Sequence, residues 1–136
     1  MRRGFLVLVS VLVATPALAD MLIYDFPLDT DPGWTTEGDW AFGRPTGQGG
    51  SSGGPDPTSG YTGDTVYGYN LQGDYRNNLS PGEFLQTQAL NFRGMTNVRF
   101  HYRRWLGIQD SRYDHARIQV STDGINWQGL WHNPSG

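Results

Sequence analysis

The chain has 136 residues, with ten Arg, no Lys, eleven Asp, two Glu and no Cys, and a formal charge of −3 at pH 7. The acidic balance speaks against nucleic acid or an anionic membrane surface as partner. The missing cysteines exclude a disulfide framework, thiol catalysis and thiolate metal sites.

The first element is a secretory signal peptide over residues 1–19. Arg2 and Arg3 form a positive n-region, Phe5 to Val13 an apolar stretch, and Ala17-Leu18-Ala19 a small-x-small cleavage triplet. The apolar stretch is well short of the roughly 20 residues that cross a bilayer as a helix. Cleavage is expected after Ala19; an uncleaved N-terminal anchor is the alternative. The mature chain would have 136 − 19 = 117 residues, with 8 Arg against 13 acidic residues, a formal −5. It is expected to be exported, extracellular or at a cell surface, and free of membrane insertion. That length suits one domain with a modest core.

Beyond Asp20 no segment has helical periodicity. The 19 Gly and 8 Pro punctuate short β-rich runs, which predicts an all-β sandwich or barrel. Strands are predicted near 21–28, 39–44, 64–70, 83–91, 97–106, 114–122 and 126–132. In Asn97 to Arg103, Val98, Phe100 and Tyr102 alternate with Arg99, His101 and Arg103, so the first set is expected to face inward. The run from His115 repeats this, with Ala116, Ile118 and Val120 inward and His115, Arg117 and Gln119 outward. Asp123-Gly124 then supplies a tight turn, making 114–132 a β-hairpin. Residues 46–63 form a long Gly/Ser/Pro-rich loop, expected to be flexible over 47–54 and ordered from Asp56 to Gly63.

Four pieces, taken together, resemble a known family. They are Gly33-Trp34-x5-Trp40-x-Phe42-Gly43, Asp56-Pro57-x2-Gly60-Tyr61-x-Gly63, and Val66-x-Gly68-Tyr69-Asn70-Leu71-x-Gly73-Asp74-Tyr75. The fourth is Arg104-Trp105-Leu106-Gly107 followed by Tyr113 to Ala116 and Val120-Ser121-x-Asp123-Gly124-x2-Trp127. The chain resembles the MAM-like jelly-roll domains of secreted bacterial proteins, including those beside immune-inhibitor-A type metallopeptidases. The resemblance implies an antiparallel two-sheet jelly-roll sandwich (concanavalin-like or MAM-like) over 20–136, serving adhesion without catalysis and often holding a structural calcium. It also implies further strands, among them a closing Gly-Trp-x-x-Asp-Asp strand, so the C-terminal strands are expected to be missing after Gly136, with further domains of the same polypeptide as expected partners.

Catalytic signatures are not found in the sequence: there is no His-Glu-x-x-His and no Gly-x-Ser-x-Gly. His101, His115 and His132 allow a two-His metal pair across adjacent strands, or are simply surface residues. No acid pair stands out at the roughly 5–9.5 Å separation that a glycosidase needs. Calcium wants six to eight oxygens; Asp25, Asp56 and Asp74 are the candidate ligands, the alternative being Asx-turns and loop caps. Planar rings stack on sugars and anchor protein interfaces. Tyr61, Tyr75 and Tyr113, in or beside loops, are the candidates for binding, whereas Trp40, Trp105 and Trp127 are expected in packing. The expected function is a secreted, non-catalytic module recognising a glycan or protein surface. The alternatives are an accessory part of a larger hydrolase, most naturally a metallopeptidase, and a structural surface-protein module.

Overall fold

The computed structural model describes residues 21–51, 53–79 and 81–134, and the signal-peptide segment 1–19 lies outside them. Six short strands follow in order: β1 (Thr35–Thr36), β2 (Trp40–Gly43), β3 (Val66–Tyr69), β4 (Leu85–Gln86), β5 (Arg117–Val120) and β6 (Gln128–His132). They pair as three antiparallel two-stranded sheets, β1 with β4, β2 with β3 and β5 with β6. Among the described residues there is no helix. The fold is all-β.

Five expected strands hold a ladder within their bounds; the segments 21–28 and 97–106 hold none, and β1 falls outside every expected strand. The reason is visible at 97–106. Alternation selects a face to bury, but a strand exists only where a neighbour takes its N–H and C=O groups. Among the described residues no ladder forms here, and Val98, Phe100 and Tyr102, expected inward, are 51%, 61% and 41% exposed.

The hairpin forms as expected, but its connection runs over residues 121–127 instead of a tight turn at Asp123-Gly124. The Asp123 carboxylate accepts hydrogen bonds from the Ile125 and Asn126 amides at 2.9 and 2.7 Å, and Gly124 takes φ +73°. These donors, the Asn126 amide first, hold the Asp123 carboxyl far below the usual carboxylate range. The register breaks between Ile118 and Gln119, where Ile118 faces Trp131 but Gln119 faces Gly129. Before the break Ala116 and Ile118 are half-buried as expected; beyond it Val120 is exposed, the re-aiming a bulge produces. At the open end Asn133, 2% exposed, ties the hairpin to the preceding loop. Its side-chain oxygen accepts from the Ala116 amide at 3.0 Å, and its Nδ2 donates to the carbonyls of Asp114 and Gln109 at 2.9 and 3.3 Å.

No apolar side chain among the described residues is fully buried. Packing is concentrated in a chain of rings around β2 and β3. Tyr24 meets Phe92 edge-on at 5.5 Å, Phe26 meets Trp34 at 5.3 Å, and Trp34 stacks on Tyr67 at 5.0 Å. Phe42 closes the row against Tyr67 at 5.3 Å. The Tyr67 hydroxyl accepts from the Trp34 amide at 2.9 Å and donates to the Asp31 carboxylate. Burial, then the Asp31 contact, pushes the Tyr67 hydroxyl up, and the same contact draws Asp31 down.

A second knot joins the β1–β4 and β2–β3 sheets. The Glu83 carboxylate accepts from the Tyr69 hydroxyl at 2.7 Å, from the Asp39 amide at 3.1 Å and from Arg76 Nη2 at 2.6 Å, while Arg76 Nε reaches Asp39 at 2.8 Å. Gly38, at φ +62°, lies so close to Glu83 that an added Cβ would stand 1.4 Å from its carboxylate oxygen. Only glycine fits that approach.

Candidate binding surface

The long loop 46–63 is held from two sides. Asp74 accepts from the Gly50 and Ser51 amides at 2.8 and 3.0 Å and from the Ser51 hydroxyl, which together draw its carboxyl down, the hydroxyl most. From the other side the Trp105 indole donates to the Pro55 carbonyl at 2.9 Å, and Gly53 meets the Ile108 backbone so closely that a Cβ would lie 2.4 Å from its nitrogen. The half of the loop expected to be flexible is thus hydrogen-bonded at Gly50 and Ser51.

Segment 97–106 lies between this loop and the β5–β6 hairpin and touches both. Its period of two separates two rows. Phe100 stacks on Tyr102 at 5.3 Å, and the Arg104 guanidinium lies 5.9 Å from the Tyr102 ring and 3.5 Å from the Trp131 ring of β6. The odd row faces the loop: Arg103 sits 4.8 Å over Tyr61, and Trp105 holds Pro55. Tyr61, Trp105 and Phe100 remain 74%, 64% and 61% exposed. The result is an open surface of rings interleaved with guanidinium groups.

Of the tyrosines singled out in sequence, Tyr61 belongs to this surface. Tyr113 is exposed with Arg112 at 5.7 Å, and Arg112 is forked onto Asp110. Tyr75 serves instead as an anchor: it is half-buried, and its hydroxyl donates to Asp114 at 2.6 Å and accepts from the Gln109 amide at 3.2 Å. Among the described residues no three His, Asp or Glu side chains gather as a metal site, so Asp25, Asp56 and Asp74 are not brought together. Asp74 spends both oxygens on loop donors, Asp56 lies half-buried against Gly49 and Gly107, and Asp25 is exposed.

From sequence, Phe100 is expected inward, Arg103 outward and Trp105 in packing, and neither Arg103 nor Arg104 stands out as a binding residue. The available signal was the interleaving itself, Phe-His-Tyr-Arg-Arg-Trp over 100–105, which serves an exposed ribbon as well as a strand.

Two open clefts flank these elements. One, of about 580 Å³, is lined by Asp39, Arg44, Asn70 and Gln72 among others. Its charges are already paired, Asp39 with Arg76 at 2.8 Å and Arg44 with Asp64 at 3.7 Å. The other, of about 550 Å³, lies on the hairpin and is lined by Ser111, His115, Arg117, Leu130, Trp131 and His132. Comparison of the chain with protein-family models, curated proteins and solved structures gives no match.

Proposed function

We propose that this chain is an exported, non-catalytic module of the MAM-like jelly-roll kind, and that it binds a glycan surface. The observation that carries this is the exposed ribbon of Phe100, Tyr102 and Trp105 with Tyr61 beside it, 41% to 74% open. Exposed rings are costly in water, and several of them on one short segment mark a contact site. Flat rings with polar rims suit the alternating apolar and hydroxylated faces of a pyranose. The guanidinium groups of Arg103 and Arg104 lie over the rings and add donors without closing the surface.

The test is retention on a glycan array. The wild-type chain is expected to bind, and Trp105→Ala and Tyr61→Ala are each expected to weaken binding by about tenfold, the loss of one stacking contact of roughly 1–1.5 kcal/mol. A blank array for the wild type, or full binding by the double variant, overturns the reading. Trp105 also holds Pro55, so Tyr61→Ala, which removes no hydrogen bond to the loop, is the cleaner of the two.

A further inference from the structure

Segment 97–106 has the backbone that a peptidase needs in a substrate. No ladder among the described residues claims its N–H and C=O groups. Neither turn nor bend interrupts the chain from Val98 to Asp110, and none of these residues has a positive φ. Every residue from Val98 to Leu106 is exposed. A cleavable stretch is bound through its main chain, as a strand added to the enzyme, so it must be unbent, unpaired and accessible. Arg103 and Arg104 stand side by side within it, and consecutive side chains of such a stretch leave it on opposite sides. Their contacts agree with this: Arg103 lies 4.8 Å over Tyr61 in the loop, and Arg104 lies 3.5 Å from the Trp131 ring of the hairpin. Among the described residues no carboxylate pairs with either guanidinium. Exposed contacts between guanidinium and ring are weak, so both side chains can turn into an enzyme's pockets at little cost.

The other arginines of the described chain are placed differently. Arg44 is paired with Asp64 at 3.7 Å and precedes the buried Pro45. Arg76 is held by Asp39 at 2.8 Å and Glu83 at 2.6 Å. Arg93 sits in a turn closed by the Met95 amide on the Phe92 carbonyl at 3.0 Å, and Arg112 in a turn where it is forked onto Asp110. Arg117 is in the β5–β6 ladder opposite His132. Arg99 shares the exposed segment but is followed by Phe100, not by a second arginine.

We propose that the Arg103-Arg104 pair is a processing site for a serine peptidase selective for paired arginines. Water adds across the Arg104–Trp105 peptide bond and its C–N bond breaks, leaving a carboxylate on Arg104 and an amino group on Trp105. The inference rests on accessibility and is independent of the glycan reading, although the cut falls in the same segment. Contacts from Trp105 to Pro55, and from Tyr75 to Asp114 and Gln109, bridge the two pieces.

Limited digestion of the whole chain, read by intact mass, tests it with two enzymes. A subtilisin-like peptidase selective for paired basic residues is expected to make a single cut beyond residue 20, after Arg104. Limiting trypsin, which accepts any arginine, is expected to cut first in that region after Arg103 or Arg104. Arg103→Gln and Arg104→Gln together should slow that first cut at least tenfold with unchanged circular dichroism. Should the double variant misfold, the wild-type fragment masses decide. Because the segment needs no unfolding to be reached, Trp34→Ala, which takes the middle ring from the packed row, should leave the rate within about twofold of wild type. A first trypsin cut after any other arginine beyond residue 20, or resistance of the wild type to the pair-selective enzyme, overturns the proposal. So does undiminished cutting of a folded double variant, or a Trp34→Ala rate raised by more than that factor, which would mean that the chain must open before it is cut.

Discussion

The two halves of the molecule use aromatic residues in opposite ways. Around β2 and β3, rings from segments far apart in sequence close on one another, Trp34 on Tyr67 at 5.0 Å and Phe42 on Tyr67 at 5.3 Å, with hydroxyls and carboxylates tying the rims. From Phe100 to Trp131, rings are met chiefly by guanidinium groups and stay open. Ring content is similar, yet the first arrangement half-buries its faces against one another and the second displays them. Only the first can supply much stability; only the second can supply a contact surface.

That contrast is open to attack by substitution. Trp34→Ala should have the largest effect, about 2–3 kcal/mol lower stability in urea, because it removes the middle ring of the row. Trp34→Phe should cost less, since the buried indole N–H it deletes has no partner among the described residues. A Trp34→Ala midpoint equal to wild type would mean that the ring row does not hold the fold.

Acid comes next. The Glu83, Asp31, Asp74 and Asp123 carboxyls all lie below their ordinary values, Glu83 chiefly through the Tyr69 hydroxyl. A carboxyl whose folded value is depressed contributes stability above its unfolded value, near 4, and loses it as pH falls through the folded value. The urea midpoint should therefore be level above about pH 5 and decline below about pH 4, and Glu83→Gln should flatten part of that decline. A midpoint rising toward acid would contradict these contacts.

The smallest effect should come from the open half. Phe100→Ser, at a residue 61% exposed, should leave stability within about 0.5 kcal/mol while weakening glycan retention. A large loss of stability would place Phe100 in packing and remove the contrast.

The hairpin was legible because its information is local: Asp123-Gly124 bends the chain, and the alternation on both sides meets its own reflection. β2 and β3 were legible for a related reason, as aromatic and β-branched runs bounded by glycine. The ribbon at 97–106 was not, since its alternation is as regular as that of β5 but nothing in the segment says whether a neighbour arrives. The same limit hid the role of Tyr75, whose partners Gln109 and Asp114 are more than 30 residues away. Asp74 sits in a turn-rich run that reads equally as a cation ligand or a loop clamp; the 2.8 Å contact from the Gly50 amide favours the clamp.

Asn133, the most enclosed polar residue of the described chain, precedes Pro134, and that order has a chemical consequence. Asparagine ages when the backbone nitrogen of the following residue attacks its side-chain carbonyl and expels ammonia. The nitrogen of Pro134 carries no hydrogen to release, so this route is blocked whether the chain is folded or not. An aspartate at 133 would set a carboxylate against the Asp114 and Gln109 carbonyls that the amide now serves. The knot at the base of the hairpin is therefore protected against time as well as against solvent.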